Sequence, residues 1–202
     1  MKKKLPVIIA LVLTVLAAVL YGNTTKANRI YDNNVNSISY SDLGVLENGQ
    51  VITQEFTSAE DVINGLKIKS SVCGNYTGVI VHIELSDADT GELLASMDEQ
   101  GSNIKARQIH YYKFADALTG MKDRQLIVSI TEEGSVSGSG INMYYAPDEE
   151  AQYKINVNGA EINGVLPLAT ATDRFDVETF IIFLLSLWFI WGFMWFLYKL
   201  FQ

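Results

Sequence analysis

The sequence has one cysteine, Cys73, and two histidines in 202 residues. A single cysteine excludes an internal disulfide, so a packed core has to stabilise the protein. It also excludes paired-cysteine zinc sites, and the separation of His82 from His110 gives no HExxH motif. Because no histidine or basic residue adjoins Cys73, the sequence predicts a buried, unreactive thiol.

Motifs for nucleophilic or phosphate chemistry are also missing. The segment GSVSGSG at 134–140 lacks the central serine of a GxSxG nucleophile elbow. It also lacks the lysine and hydroxyl residue of a phosphate-binding loop. We therefore expect no catalytic residue, no organic cofactor and no enzyme activity. A hydrolase or transferase stays as the least favoured alternative, because scattered carboxylates can converge in a fold.

Positive charge is scarce in the middle of the chain. All 23 acidic residues lie between Asp32 and Glu178, and eleven of the 15 basic residues lie in this span or just before it, which gives a net charge of −12. Such a body is not expected to bind nucleic acid or an anionic lipid surface. The other four basic residues lie outside the two apolar ends of the chain: Lys2, Lys3, Lys4 and Lys199.

The longest apolar run is C-terminal. Phe180–Tyr198 contains no charged residue and no proline. As a helix it would be about 28 Å long, close to the hydrocarbon thickness of a bilayer. The run therefore predicts a transmembrane helix.

A second apolar run, Leu5–Leu20, follows the basic N-terminus. One interpretation is an uncleaved signal anchor, and the other is a signal peptide cleaved near Thr25-Lys26-Ala27. Both place the central body outside the cell, because basic residues stay on the cytoplasmic side. We expect a cell-membrane protein with both termini in the cytoplasm.

Two residue stripes on these runs predict helix packing. Small residues at spacing four let helices approach closely in lipid, although ordinary alanine content also explains them. Tryptophans at i, i+3 and i+7 share one helix face and indicate contact with another helix, in this chain or a partner, unless they simply face lipid. The stripes are Ala10, Thr14 and Ala18 in the first run and Trp188, Trp191 and Trp195 in the second.

The body between these runs reads as eight or nine short strands. Val79, Val81, Ile83 and Leu85 alternate with polar neighbours, as in a half-buried strand. Turn residues recur every 8–12 residues, which is typical of an antiparallel β-sandwich such as a jelly roll. Hairpin turns are predicted at 47–50 and 158–159 and short helical turns at 59–63 and 115–119.

These observations predict a linear domain organisation. The segments are a cytoplasmic head (1–4), a first transmembrane helix (5–22), a linker (23–36), an extracytoplasmic β-sandwich (37–172), a second linker (173–179), a second transmembrane helix (180–198) and a cytoplasmic tail (199–202).

One turn has the composition of a calcium ligand set. Asp87, Asp89 and Glu92 offer hard oxygen ligands in the sequence DADTGE. No glutamate at the required spacing completes a calcium loop. A strand-connecting turn, in which aspartates bind their own backbone, is the alternative.

Two tyrosine pairs are candidates for stacking on sugar rings. Successive strand residues point to opposite faces, so each pair is expected to place one ring inward and one outward. The alternative is that the outward rings cover the rim of the core. The pairs are Tyr111-Tyr112 and Tyr144-Tyr145.

The segment Gln54–Pro147 resembles the jelly-roll ectodomains of bacterial cell-surface and envelope-glycopolymer proteins, which are distantly similar to carbohydrate-binding modules. The resemblance lies in QEFTSAEDVINGLKIKSSVCGNYTGVIVHIEL, DADTGELLASM, YYKF, GMKDRQLIVSIT and INMYYAP. It implies a role in glycopolymer assembly or export. With the aromatic second helix, it predicts a non-catalytic subunit that binds an integral-membrane partner. The alternative is a tethered module that recognises cell-wall polysaccharide.

Overall fold

The structure is a computed structural model that describes residues 5–31, 39–147 and 153–201, with only the backbone of 5–7. The predicted cytoplasmic head and the last residue of the predicted tail therefore lie outside the described residues. The chain divides into two units. One unit contains the two ends, Met1–Lys26 and Asp173–Gln202, and the other is Ala27–Thr172.

Twelve strands and two α-helices occur in the described residues. They are α1 Leu5–Gly22, β1 Asn23–Arg29, β2 Ser41–Val45, β3 Val51–Thr57, β4 Val62–Cys73, β5 Ile80–Asp87, β6 Leu93–Gln100, β7 Gln108–Thr119, β8 Gln125–Glu133, β9 Gly140–Tyr145, β10 Ile155–Val157, β11 Ala160–Ile162, β12 Leu168–Phe175 and α2 Val177–Leu200.

The strands form two antiparallel six-stranded sheets. The first sheet has the order β1-β12-β4-β9-β2, and the second has the order β11-β10-β3-β8-β5-β6. The sixth strand of the first sheet, β7, lies on the other edge of β4, because Ser70 pairs with Gln108 of β7 and with Met143 of β9. The prediction of a mainly β protein with antiparallel sheets is confirmed.

The two sheets share one hydrophobic core, an arrangement like a β-sandwich. Val79, Val81, Ile83 and Leu85 are all at most 1% exposed, as their alternation predicts. Phe56 of β3 is fully buried in the same core. Burial of large apolar side chains from both sheets is the main stabilising contribution, since this chain has no disulfide.

Local turn chemistry is confirmed at 158–159. Asn158 and Gly159 both have positive φ, 53° and 88°, as a two-residue type I′ hairpin requires. Val157 pairs with Ala160 across this turn. The flanking strands β10 and β11 are shorter than the sequence pattern suggested, with three residues each.

The predicted hairpin at 47–50 is wrong, although its turn is present. The Gln50 amide donates to the Glu47 carbonyl at 2.9 Å, and Gly49 has a φ of 85°. This turn joins β2 of the first sheet to β3 of the second sheet, so the flanking strands do not pair with each other. A turn sequence fixes the local reversal of the chain but not the partner of each strand.

The predicted helical turns at 59–63 and 115–119 are also wrong. At 59–63 the chain leads into β4, and the Asp61 carbonyl accepts a hydrogen bond from the Met121 amide instead of starting a helix. Residues 115–119 belong to β7, where the register to β4 shifts between Ile63 and Gly65. A Cβ on Gly65 would lie 2.9 Å from the Lys113 Cα, so only glycine permits this close approach.

Strands replace much of both predicted linkers. Residues 23–29 form β1, and β12 extends to Phe175. The sequence of β1 is polar and the strand lies at a sheet edge, so the hydrophobic pattern gave no signal. The rest of the first linker lies mostly outside the described residues.

The burial predicted for Cys73 is wrong as well, because its thiol is exposed at the end of β4.

In the unit built from the two ends, α2 is three residues longer at its start than the predicted span. Its 24 residues give about 36 Å of helix, and among the described residues it is the helix long and apolar enough to cross a membrane. Asp176 caps its N-terminus by accepting from the Glu178 and Thr179 amides. The ion pair with Lys26, at 2.5 Å, and the hydrogen bonds from Thr179 hold the pKa of Asp176 below its usual range.

The first apolar run forms α1, whose described apolar part, Ile8–Gly22, is shorter than a full membrane span. It is antiparallel to α2, because Tyr21 stacks on Phe183 near one end of the pair, with ring centroids 4.4 Å apart. Gly22 lies against the Phe175 ring, where a Cβ would be only 2.8 Å from the Cε2 atom. The C-terminal end of α1 therefore lies in close contact with the N-terminal end of α2.

Candidate functional site

The predicted tyrosine pairs each divide between the two faces of the first sheet. Tyr112 of β7 is 0% exposed and pairs with Leu66 of β4, so it belongs to the core and no ligand reaches it. Tyr145 of β9 packs against the same core. Tyr111 and Tyr144 are the alternate residues and lie on the outer face. These two rings are the ones that remain as candidates for ligand contact.

Lysines from β4 lie against the outer tyrosines. Lys67 pairs with Tyr111 in the strand register, and its Nζ is 5.6 Å from the ring centroid. The Lys69 Nζ is 4.7 Å from the Tyr40 centroid and 5.4 Å from that of Tyr144. Both arrangements are cation–π contacts. We call the surface the cationic tyrosine face and define it as Arg29, Tyr31, Tyr40, Lys67, Lys69, Tyr111 and Tyr144.

Tyr40 is kept uncharged by its neighbours. Its ring meets that of Tyr31 edge to face, with centroids 6.2 Å apart. Burial, assisted by a hydrogen bond with Tyr31, raises the pKa of Tyr40 to about 12. The Tyr40 phenol therefore stays protonated at any physiological pH, and it does not cancel the positive charge of Lys69 above its ring.

A groove of about 340 Å³ opens on this face between strands of the first sheet. Its walls include Arg29 from β1, Lys67 from β4, and Ile109 and Tyr111 from β7. Ile109 is 55% exposed although it is a large apolar residue. In the part of the chain that the structure describes, no carboxylate lines the groove. The site combines cations, aromatic rings and exposed apolar surface.

The sequence pattern identified Tyr111 and Tyr144 of this face but not Tyr40 or the cations. The usable signal was the alternation in β4, where Lys67 and Lys69 occupy the face opposite to Leu66 and Ile68. Tyr31 was not identified as a candidate because it lies in the segment predicted to be the first linker. That β1, β4, β7 and β9 share one face became evident only from the strand order.

The predicted calcium residues do not gather around a common point. Asp87 is 4% exposed, and one of its oxygens accepts from the Asp89 and Thr90 amides. The other oxygen accepts two hydrogen bonds from Arg124, at 2.6 and 3.1 Å. The hydrogen bonds from Thr90 and then Arg124 lower the pKa of Asp87 to about 2. No group of three metal-ligating side chains occurs in residues 5–31, 39–147 and 153–201.

The two histidines lie on different strands, and each contacts carboxylates. His82 Nδ1 is 2.7 Å from Asp98, and its Nε2 is 3.5 Å from Glu133. His110 is 3.1 Å from Glu99. Burial alone would raise the pKa of Glu99, but hydrogen bonds with Asn103 and His110 hold it below its usual range. The partners of His82 lie on β6 and β8, the two strands that flank β5.

Glu132 is a buried acid that the sequence did not single out. It is 2% exposed on the core side of β8, and its Oε1 accepts from the Ile141 amide at 2.6 Å. Its Oε2 is buried without a hydrogen-bond partner among the described residues. Burial raises the pKa of Glu132 to about 7. Such pKa values occur in catalytic acids, but a substrate outside the core does not reach this carboxyl.

The small-residue stripe of α1 is the covered face of that helix. Among its described side chains before Gly22, Ala18 is fully buried, Ala10 and Thr14 are partly covered, and the others are exposed. On α2, Trp188 and Trp191 form with Leu11 and Thr14 the walls of a cavity of about 320 Å³. All three tryptophans of the aromatic stripe nevertheless remain more than half exposed.

Comparison with models of known protein families gives no match, and comparison with curated proteins finds no relative.

Proposed function

We propose that this chain is a non-catalytic, membrane-anchored accessory subunit. In this proposal α1 and α2 both span the membrane, the termini are cytoplasmic, and the β-rich unit is an extracytoplasmic jelly roll. The helices bind an integral-membrane partner. The resemblance of the strand pattern to envelope-glycopolymer proteins suggests glycopolymer assembly or export as the process.

The observation that carries this proposal is the uncovered tryptophan stripe of α2. Trp188, Trp191 and Trp195 are 51%, 52% and 64% exposed, although α1 packs beside them. In lipid, helices associate through close packing of complementary surfaces. A stripe of three large rings flanking the α1 contact offers such a surface to a further helix.

The partner proposal predicts the outcome of a triple substitution. The full chain, purified from its native membrane in mild detergent, should carry a second integral-membrane protein in fixed ratio. Replacing Trp188, Trp191 and Trp195 with alanine should lower that ratio about tenfold or more, since large aromatic residues dominate interface energetics. Quantitative mass spectrometry of the purified complex measures the ratio of the partner to this chain.

A matched control is available on the opposite side of α2. Phe189, Phe193 and Phe196 are 74%, 51% and 54% exposed, and helical periodicity places them away from the tryptophans. Replacing these three with alanine should leave the partner ratio unchanged. Purification of the wild-type chain alone, or equal losses in both triple variants, would contradict the proposal.

The exposed thiol of Cys73 provides a test of topology. A membrane-impermeant thiol reagent should label the full chain in intact cells, because the β-rich unit is proposed to lie outside. The Cys73→Ser variant should stay unlabelled. With Gln202→Cys added to that variant, labelling should require permeabilised cells. Labelling of Cys73 only after permeabilisation would refute the orientation.

A tethered carbohydrate-binding module is the second candidate function. The cationic tyrosine face supports it, because exposed aromatic rings and charged side chains at a groove are features of ligand sites. The two functions are compatible, since one uses the helices and the other uses the outer face of the first sheet.

A further inference from the structure

We infer that the groove on the cationic tyrosine face binds a saccharide that carries carboxylate groups, such as a uronic-acid oligosaccharide. The envelope setting of this inference rests on the proposed function. The binding itself depends only on the groove.

The distribution of charge favours an anionic ligand at this place. Ala27–Thr172 contains nine basic and twenty acidic residues, a net charge of −11. In so acidic a unit, a surface lysine has many carboxylates available to it. Lys67 and Lys69 instead lie over tyrosine rings, with no ion pair to a carboxylate in the described parts of the chain. Within the described residues, their charge is therefore not neutralised by a carboxylate.

The chemistry of the walls favours a sugar over a simple anion. Tyr111 and the exposed Ile109 present flat or apolar surface beside Lys67. A pyranose ring has an apolar C–H face that packs on such surface, and a uronate places a carboxylate at the edge of the same ring. Arg29 lines the same groove and adds a second positive charge to its wall. A volume of about 340 Å³ lies within the range of small-molecule sites.

The surrounding acidity limits the length of the ligand and disfavours nucleic acid. A net charge of −11 on the unit repels a densely charged polyanion over distances of a Debye length, about 10 Å. Nucleic-acid binding depends on many phosphate contacts with basic residues. A short uronate has one charge per sugar ring and meets only the local cations.

The test is titration of the full chain, in detergent micelles, with a linear tri-galacturonate by isothermal titration calorimetry. We expect saturable binding below about 1 mM, and none with the uncharged galactose trisaccharide at that concentration. Lys67→Gln should weaken binding about tenfold or more, because it removes a charge-assisted contact. Lys67→Arg should retain most of the affinity, since the charge is kept.

Lys105→Gln is the matched control, because Lys105 is an exposed lysine outside the groove. Its affinity for tri-galacturonate should equal that of the wild type, and the melting temperatures of all variants should agree. Equal binding by Lys67→Gln would overturn the inference. So would absence of tri-galacturonate binding, or equal or tighter binding of a tetraglutamate peptide. None of these outcomes changes the partner ratio or the thiol labelling, so the proposed function is tested independently of the groove.

Discussion

Replacing Glu132 with glutamine is expected to abolish most of the fall in stability that the wild-type protein shows as the pH rises from mildly acidic to mildly basic values. In the wild-type protein the pKa of this buried carboxyl rises from 4.5 to about 7 on folding. The folded state therefore holds a proton that the unfolded chain releases between these two values. The contribution of Glu132 to stability is largest below the unfolded pKa, falls as the pH rises through this window, and is lower by about 3 kcal/mol above pH 7. Glutamine stays neutral over this range, so the stability of the Glu132→Gln variant should not fall in this way as the pH rises.

The measurement is chemical unfolding of the full chain in detergent at about pH 5 and pH 8. Far-UV circular dichroism is the suitable probe, because all three tryptophans lie in α2 and report little on the strands. Glu84→Gln is the control, since Glu84 is an exposed carboxylate on β5 and its variant should keep the wild-type pH dependence. A wild-type stability that rises from pH 5 to pH 8 would contradict the assignment.

Replacing Phe56 with alanine is expected to lower the free energy of unfolding by about 3–5 kcal/mol. Phe56 is 0% exposed on β3 and pairs in register with Leu126 of the neighbouring strand. Removing its ring withdraws a large apolar surface from the shared core and leaves a cavity that both sheets would have to close. The same unfolding experiment, at a single pH, measures the change.

Leu93→Ala serves as the control for this substitution. Leu93 is 53% exposed on the edge strand β6, so its truncation should change stability by less than about 0.5 kcal/mol. If Phe56→Ala cost no more than Leu93→Ala, the two sheets could not share the core described here.

Much of the inner side of the sheets was predictable residue by residue. The alternation in β5 identified Val81, Ile83 and Leu85 as core, and all three are 0% exposed. Alternation works here because one face of each strand is buried, so the side-chain period of two appears directly in the sequence. Asn158-Gly159 was predictable for an equally local reason, since few residues tolerate two positive φ values.

The candidate site was predictable only in part. Strand alternation predicted one inward and one outward ring in each tyrosine pair, but only the structure showed that Tyr111 and Tyr144 are the outward ones. Their link to Lys67 and Lys69 is a long-range fact, because β9 and β7 lie on opposite edges of β4. The same holds for Asp87. The residues around it suggest a calcium site, but its carboxylate binds Arg124, which lies 37 residues away in the chain.

By itself the sequence determined the period of the half-buried strands, the position of the tight turns at 47–50 and 158–159 and the apolar character of α2, because these depend on residues adjacent in the chain. Only the tertiary structure decided which strands pair, that the turn at 47–50 connects two sheets, and that Glu132 is enclosed while Cys73 is not. Pairing, burial and pKa depend on neighbours distant in sequence. Those neighbours are brought together when the two sheets bury their apolar faces against each other.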